Sequence, residues 1–565
     1  MNRADVIIIA VYFTSMILVG LRYSRQMKSA DVYFAGGRQV NWWMGGVSLL
    51  MSYVSALSII VYAGLGYQYG LVSLTLYWVN LPAAVITTLL FARRWRRADV
   101  ITPTEFLERR FSRTVQQLIA LSGIPLKIID EGLKIVAVGV FVSVGLHIPA
   151  WISIVCVGVT IVVYAALGGL WAVVVTDFIQ FVLVAGVVVL LLPLTLRAAG
   201  GWTQVRARLP GDMFSIVHEP FGWLYVAAFL VLNTISLSGN WSLIQKFYSA
   251  RTDRDAVRVG WLACALFCVL PPFWILTGLV ARCLIREVDP QTIYARISVA
   301  LLPPGMVGLV VAALFAATMS VLSCGYNVIS SVVTMDVYRG LVQRNAEEKD
   351  LVRVGRILTV AIGAIALGTG LCVNYFHWTI FDTMVATFGL FVPPTVIPML
   401  AGLVNTRLSS RGAIAGFSVG IGVGLGFLLA RMQLHPPRYA LFDSLSLLIP
   451  ACATIVTLVL ATILMPATRT EAVEISRFFS GLQRSALPPT VEISNPTPIA
   501  GLIIGLMGLS LLLVGAGVIP RCPRSTTPIG VGTVFLVIGV TMFWAQELTP
   551  PSKRNVGDNA KDRVN

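Results

Sequence analysis

The stretch LLMSYVSALS, residues 49–58, places three serines and a tyrosine in the middle of a long apolar run. Ser52, Ser55 and Ser58 are three residues apart and therefore share one face of a helix. A second stretch, LNTISLSGNWS at 232–242, is similarly polar within an apolar segment. Both are places where a helix can break and expose carbonyl oxygens, although polar contacts between neighbouring helices explain the spacing equally well.

The composition identifies the environment of these stretches. Of the 565 residues, 57% are hydrophobic and 12% are charged, and the mean hydropathy is +0.82. A soluble protein carries about twice that share of charge. Because backbone groups in lipid must pair within their own segment, the long apolar runs predict an all-α polytopic membrane protein. We place fifteen transmembrane helices near 4–20, 41–66, 71–92, 114–146, 150–170, 173–196, 221–245, 259–280, 303–335, 357–375, 379–404, 412–430, 441–465, 497–519 and 527–546.

The basic residues predict the orientation. Of the 42 lysines and arginines, 29 fall in alternate loops, counted from the segment 22–38 to the tail 547–565. Because basic loops stay inside, we expect the N-terminus outside, the C-terminus in the cytoplasm, and the protein in the plasma (cell inner) membrane. The net charge of +16 is then explained by the basic inner loops, which lie beside anionic lipid. We therefore expect the lipid bilayer as a partner and no nucleic acid.

The sequence contains no clear pattern of a nucleotide-binding or metal-binding catalytic site. The chain has no phosphate-binding loop, and none of its four histidines has a partner at the spacing of a metal site. We predict no cofactor and no enzymatic activity. The polar residues inside the membrane are costly there, and they remain as candidates for function.

Five stretches carry a resemblance to a known family. In chain order, they resemble motifs of the sodium:solute symporter family, which includes the sodium/glucose cotransporters. The resemblance covers roughly residues 4–465, and five motifs in family order make it specific. The stretches are YFAGGRQVNWWMGGVSLLMSYVSALS (33–58), TPTEFLERRF (102–111), GGLWAVVVTDFIQ (168–180), NWSLIQKFYSARTDRDA (240–256) and LPPGMVGLVVAALFAATMSVLSCGYNVISSVVTMDVYR (302–339).

The resemblance implies a LeuT-type fold, in which two inverted repeats of five helices surround a site near the midplane. It implies that the first core helix breaks near 52–55 and the sixth near 236–239. We expect one transmembrane transporter domain over 1–565. Its parts are an extra helix at 4–20, repeats at 41–196 and 221–404, accessory helices at 412–546 and a cytoplasmic tail at 547–565.

The same resemblance implies a function. We expect a secondary active transporter that carries a small organic solute, sugar or carboxylate-like, together with sodium by alternating access. A proton-coupled or uncoupled transporter of the same fold is an alternative. A transporter-like sensor is a third class, and it is disfavoured because only the short tail follows the last predicted span.

The family's sodium site lies between the first and eighth core helices. The resemblance implies carbonyl ligands at Met51, Val54 and Ala317 and a hydroxyl ligand at Ser320. Val321 stands where the family has a second hydroxyl, so we expect weaker sodium binding. A further cation position is implied at Asp177 with Ser323, where the acid could instead carry a proton or anchor a basic loop.

A charged cluster interrupts the fourth predicted span. In KIIDEGLK (127–134), Lys127, Asp130, Glu131 and Lys134 are three or four residues apart, so opposite charges can pair along one helix. One interpretation is an internally paired ionic cluster on the cytosolic side. The alternative is a group that faces the substrate or a gate.

The solute site is predicted from the polar stretches and from the resemblance. Asn233 resembles an asparagine with which sugar-transporting members contact their substrate. The nearby aromatic residues permit stacking on a sugar or an aromatic solute. The predicted solute-binding residues are Ser52, Tyr53, Ser55, Ser58, Tyr77, Asn233 and Ser236.

Overall fold

The computed structural model describes most of the chain, and the regular secondary-structure elements of the described part are helices. The described residues are 3–24, 38, 40–146, 148–167, 170–303, 305–343, 345–376, 380–434, 441–483, 497–516 and 526–544. The predicted tail 547–565 and nearly all of the lead-in 22–38 lie outside them. Two compact units form, Met1–Ile493 and Ser494–Asn565.

The first half of the larger unit contains a helix pair bent at a break, followed by further helices. The pair is α2 and α3, and it corresponds to the predicted first core helix. The bounds are α1 Arg3–Ser24, α2 Trp42–Met51, α3 Ala56–Tyr69, α4 Val72–Trp78, α5 Asn80–Leu90, α6 Ala92–Arg97, α7 Glu105–Arg110, α8 Arg113–Leu146, α9 Ala150–Leu167, α10 Leu170–Ala198 and α11 Trp202–Arg208, with a 3₁₀ turn at Gly211–Phe214.

The second half repeats this plan. It begins with the bent pair α12 and α13, which corresponds to the predicted sixth core helix. The bounds are α12 Trp223–Gly239, α13 Trp241–Tyr248, α14 Asp253–Val269, α15 Pro271–Ala281, α16 Ile293–Leu301, α17 Met306–Val332, α18 Glu348–Tyr375 and α19 Ile380–Val404, with a 3₁₀ turn at Pro290–Thr292 and a π-helical end at Val333–Val342.

The remaining helices follow these two halves. Helix α22 lies in a segment that the sequence analysis treats as a loop, and its amphipathic face buries Ile475 and Leu482. In the smaller unit, α23 packs closely against α24. The bounds are α20 Ser410–Leu434, α21 Leu441–Leu464, α22 Arg469–Gln483, α23 Thr497–Gly515 and α24 Thr526–Trp544.

The predicted count of fifteen membrane spans is not confirmed. Among the described residues, nine helices are long and apolar enough to cross a membrane, or eleven if each bent pair is one span. Other predicted spans are helices that are shorter or more charged. Helix α9 is a shorter apolar helix, and α8 contains the charged cluster of residues 127–134.

Helix α17 lies at the centre of the larger unit. Every residue from Gly308 to Val332 is buried, and the helix packs against α1, α8, α9, α10 and α18. The Asp5 carboxylate at the start of α1 accepts hydrogen bonds from the N–H groups of Gly305 and Gly308, at 2.9 and 2.8 Å. A carboxylate at a helix N-terminus satisfies N–H groups that lack partners within the helix, and it complements the helix dipole.

Arg110, in the motif TPTEFLERRF, holds the end of α19. Its guanidinium donates to the carbonyl oxygens of Gly402, Asn405 and Leu408 at 3.1, 2.6 and 3.0 Å, and it lies 4.5 Å from the centre of the Phe111 ring. Burial lowers the pKa of Arg110 to about 10, so the group remains charged at neutral pH. A cation that donates to the last carbonyls of a helix also favours its dipole.

We predict that Arg110→Ala destabilises the protein by about 2–4 kcal/mol, because it leaves buried carbonyl oxygens without a donor. Arg110→Lys should restore little, since an ammonium cannot reproduce the planar fork of a guanidinium. Arg109→Ala is the matched control, because Arg109 is exposed and pairs with Glu105 on the surface. The measurement is the apparent Tm of the purified variants, and equal Tm values for Arg110→Ala and Arg109→Ala would contradict the assignment.

Candidate functional site

The first break separates α2 from α3 and bends the pair by 58°. The break lies at residues 52–55, as the sequence predicts. Ser58 Oγ accepts from the Ser55 N–H and donates to the Ser55 carbonyl, both at 2.8 Å. This reciprocal contact pairs the Ser55 N–H just before α3, as in a capping box.

Helix α17 stabilises the same break from the other half of the protein. Thr318 Oγ1 accepts from the Ala56 N–H at 3.0 Å, and Ser320 Oγ donates to the Met51 carbonyl at 3.1 Å. Ser320 is predicted from the sequence and Thr318 is not, although both belong to the stretch AATMSVLSC (316–324) of α17. The two hydroxyls thus bind opposite ends of the unwound segment.

The second break separates α12 from α13 and bends the pair by 47°. It lies at Asn240, just after the stretch 236–239 where it was predicted. The reason is a helix cap, since Asn240 Oδ1 accepts from the Ser242 N–H at 3.0 Å. The same oxygen accepts from Lys127 Nζ of α8 at 3.0 Å, so a charged donor from another helix holds the break in place.

A cavity lies between the two broken helices. Six of the seven predicted solute-binding residues line it, and the exception is Tyr77. The Ser52 hydroxyl is buried there and has no hydrogen-bond partner among the described residues. The lining residues are Ser52, Tyr53, Ser55, Leu57, Ser58, Val61, Tyr62, Asp130, Lys134, Phe229, Leu232, Asn233, Ser236, Asn240, Met384, Val385 and Phe388.

Tyr53 connects the first break to two other helices. Its hydroxyl donates to Asn80 Oδ1 at 2.8 Å and lies 3.1 Å from Asn233 Oδ1. Asn80 was missed by the sequence analysis, although it is a fully buried amide within an apolar helix. Tyr77 lies behind this group, with its ring 6.5 Å from that of Tyr53 and 4.8 Å from that of Tyr62. Tyr77 therefore positions aromatic neighbours and does not line the cavity.

The charged cluster of α8 combines both interpretations of the sequence. Lys134 Nζ donates to Asp130 at 2.8 Å and to Glu131 at 3.1 Å, so opposite charges pair along the helix. Asp130 and Lys134 also line the cavity. Lys127 differs from the expectation, because its described hydrogen bond goes to Asn240 and not to a carboxylate.

Asp177 on α10 lies beside the predicted sodium site. Its carboxylate accepts from the hydroxyls of Ser48 and Ser320, one on each oxygen. Ser323, which was predicted as its partner, instead donates to the Ser320 carbonyl within its own helix at 3.1 Å. Ser48 was missed, because nothing in its sequence indicates a partner 129 residues away.

Lys246 follows the predicted span 221–245, so the sequence places it in an inner loop. In the structure, α13 continues past Lys246, and the side chain is completely buried. Its Nζ lies 3.9 Å from Asp177 Oδ2. Asp177 thus contacts three helices of the core, namely α2, α13 and α17.

The arrangement suits a hard monovalent cation better than a transition metal. The described residues contain no group of three or more His, Cys, Asp and Glu that could hold a metal ion. The predicted sodium-site residues Met51, Val54, Ala317, Ser320 and Val321 are all buried. The possible ligand atoms around them are carbonyl, hydroxyl and carboxylate oxygens, which hard cations prefer. Val321 contributes only methyl groups.

Comparison with known proteins identifies the family. A model of the sodium:solute symporter family matches residues 33–212 and 253–420. The chain belongs to the sodium:solute symporter family. The sodium/glucose cotransporter of Vibrio parahaemolyticus is 27% identical to this chain over 467 residues, which cover 74% of this chain and 84% of that protein. Sodium/glucose cotransporter 4 of Danio rerio is 28% identical over 473 residues, covering 75% and 71%.

Solved structures show the fold. A Na⁺-coupled sialic acid symporter in a substrate-bound, outward-open state has a TM-score of 0.72 and 20% identity, covering 83% of this chain and 99% of that one. A transporter of the nucleobase-cation-symport-1 family has a TM-score of 0.52 and 12% identity, covering 80% and 98%. The chain therefore has the LeuT-type fold. As a member of this family it is an integral membrane symporter that couples solute to sodium, not an enzyme.

We predict that Lys134→Ala lowers the yield and the apparent Tm, because it leaves two buried carboxylates without their cation. Breaking a buried ion pair in this way costs about 3–5 kcal/mol. Combining it with Asp130→Asn removes one of the two unpaired charges, so the double variant should recover part of the loss. Thermal unfolding of wild type, Lys134→Ala and the double variant in one detergent is the measurement. A double variant no better than Lys134→Ala would show that pairing is not what stabilises this cluster.

Proposed function

We propose that the cavity between the broken helices binds a small polar solute, sugar or carboxylate-like, and that the protein carries it across the membrane together with sodium. The observation that supports this most directly is Ser52, which lines the cavity and whose buried hydroxyl has no hydrogen-bond partner among the described residues. A buried polar group without a partner is costly, and a ligand would satisfy it.

The polar groups of the cavity are arranged for a solute that accepts and donates hydrogen bonds. Tyr53 and Asn233 present a hydroxyl and an amide on one side, and Asp130 and Lys134 present charged groups on α8. Phe229 and Phe388 add apolar surface. A few placed polar groups within an apolar lining are typical of sites for small organic molecules.

The coupling ion in this proposal binds next to the cavity. Met51 and Ser52 are consecutive, so the carbonyl proposed for sodium and the free hydroxyl proposed for solute belong to one unwound segment. Ser320 contacts that segment from α17. Sodium bound by Met51, Val54, Ala317 and Ser320 would therefore order the backbone that forms the solute site, which links the two binding events.

We also propose the orientation and the location. The excess of lysine and arginine in alternate loops supports an outside N-terminus, a cytoplasmic C-terminus and a place in the plasma (cell inner) membrane. Val321 offers no oxygen where the family has a hydroxyl, so the strength of coupling to sodium at this site is part of the proposal, and proton-coupled or uncoupled transport is the result that would overturn it.

Uptake into proteoliposomes tests the proposal. The reconstituted protein is given a panel of labelled sugars and carboxylates, with an inward sodium gradient in one arm and choline in the other. We expect at least one solute to accumulate only with sodium, and a sodium ionophore to abolish this accumulation. Equal accumulation in both arms would favour the uncoupled alternative, and accumulation driven by a proton gradient alone would favour the proton-coupled one.

We predict that Asn233→Ala weakens solute binding more than sodium binding. The loss of one neutral hydrogen bond is worth about 0.5–1.5 kcal/mol, which raises the solute KM by roughly two- to tenfold. Thr234→Ala is the matched control, because Thr234 bonds its own helix at Leu230 and does not line the cavity. Both variants are titrated with solute at fixed sodium and with sodium at fixed solute. An equal loss in both titrations would argue against Asn233 as a solute ligand.

We predict that Val321→Ser lowers the sodium concentration for half-maximal uptake, and that Ser320→Ala raises it. An added oxygen ligand at a charged centre is worth about 1.5–3 kcal/mol, or roughly ten- to hundredfold in affinity. The titration uses one membrane preparation at fixed solute. If both substitutions leave the sodium curve unchanged, this site holds no coupling ion.

A further inference from the structure

The ion pair between Asp177 and Lys246 differs from the other buried ion pairs of the described structure. Both side chains are fully buried, and the Nζ–Oδ2 distance is 3.9 Å. The Lys246 ammonium has no hydrogen-bond partner among the described residues. By contrast, Lys134 makes two hydrogen bonds to its carboxylates, at 2.8 and 3.1 Å. An ammonium without hydrogen bonds is weakly held, because no hydrogen bond compensates for the water that the charged group loses on burial.

The position of Asp177 gives this pair a consequence for sodium. One carboxylate oxygen accepts from the Ser320 hydroxyl, whose single proton is shared between this carboxylate and the Met51 carbonyl. The other oxygen accepts from Ser48 and faces Lys246. A single carboxylate therefore lies between the proposed sodium ligands and the side chain of Lys246.

Charge balance then makes the two cations competitors. Asp177 and Lys246 together are neutral, so a sodium ion arriving at Ser320 and Met51 adds a second positive charge beside one carboxylate. In a buried environment such like-charge repulsion is large and hardly screened by salt. Lys246 is the partner that can yield, since it has a long side chain and no hydrogen bond to lose.

We propose that Lys246 is a tethered cation that competes with sodium for Asp177 and so lowers the sodium affinity of the adjoining site. The inference rests on the sodium site of the proposed function. Lys246 belongs to α13 and Ser48 to α2, and these half-helices are joined where the Val40 N–H donates to the Ser249 carbonyl at 3.2 Å. Displacement of Lys246 from Asp177 would release α13 from α10. Sodium occupancy is thereby linked to the position of one half-helix.

A sodium titration of thermal stability tests this without knowledge of the solute. Wild type and Lys246→Met are purified in sodium, moved into nanodiscs and washed free of it. Sodium chloride then replaces choline chloride at constant ionic strength, and the apparent Tm is recorded at each step. A ligand that binds the native state raises Tm, so the sodium midpoint reports affinity. We expect the midpoint of Lys246→Met to lie about tenfold lower than that of wild type.

Three further variants control for other effects of the substitution. Lys246→Gln removes the charge with a polar side chain, and it should behave as Lys246→Met even if one of them folds poorly. Lys246→Arg keeps the charge and should keep the midpoint of wild type. Asp177→Asn combined with Lys246→Met removes the shared carboxylate, so it should lose the tenfold gain.

The outcomes separate this inference from the proposed function. If uptake by wild type requires sodium while Lys246→Met and Lys246→Gln have the wild-type midpoint or a higher one, only the tethered cation is refuted. If Lys246→Arg shifts the midpoint as far as Lys246→Met, the charge is not the cause and the inference also fails. If no variant responds to sodium and uptake is independent of it, both proposals fall.

Discussion

The constraint on which this structure depends is the pairing of backbone groups at two broken helices inside an apolar environment. Unwound backbone is tolerated at membrane depth only where other protein groups satisfy it. The break in the first half is held by hydroxyls of α17, from the second half. The break in the second half is held by Lys127 of α8, from the first half. Each half therefore contributes hydrogen-bonding groups to the break in the other.

This exchange explains why a fully buried helix carries so many polar residues. In α17, Thr318 and Ser320 bind the first break, and Ser320 also contacts Asp177. Cys324 faces α13, with its Sγ 3.4 Å from Gln245 Oε1. Contacts between helices and ligand chemistry are thus not alternatives here. Ser320, which packs α17 against the first break, is also the hydroxyl that we propose as a sodium ligand.

The sequence predicts the features that depend on local pattern. Long apolar runs predict the membrane helices, and the family resemblance implies the LeuT-type core and the two breaks. The second break lies at Asn240 because a single cap decides where a helix restarts. Contacts between distant segments could not be predicted in this way. Ser48 with Asp177, and Tyr53 with Asn80, join helices whose separation along the chain carries no spacing rule. Lys246 was predicted to lie in a loop for a related reason. A basic residue after a polar stretch is typical of a loop, and the sequence does not show that the bend at Asn240 directs α13 back into the core.

The two buried ionic groups show how one membrane protein can use charge in two ways. In the α8 cluster, Lys134 is hydrogen-bonded to both of its carboxylates, so separating them costs both the attraction and the hydrogen bonds. At Asp177 the hydrogen bonds come from the neutral hydroxyls of Ser48 and Ser320, and the cation contributes attraction alone. The carboxylate can therefore exchange one cation for another while its hydrogen bonds persist. Under the proposed competition, such an arrangement would keep these hydrogen bonds whichever cation is present, as a protein that binds and releases an ion in each cycle requires.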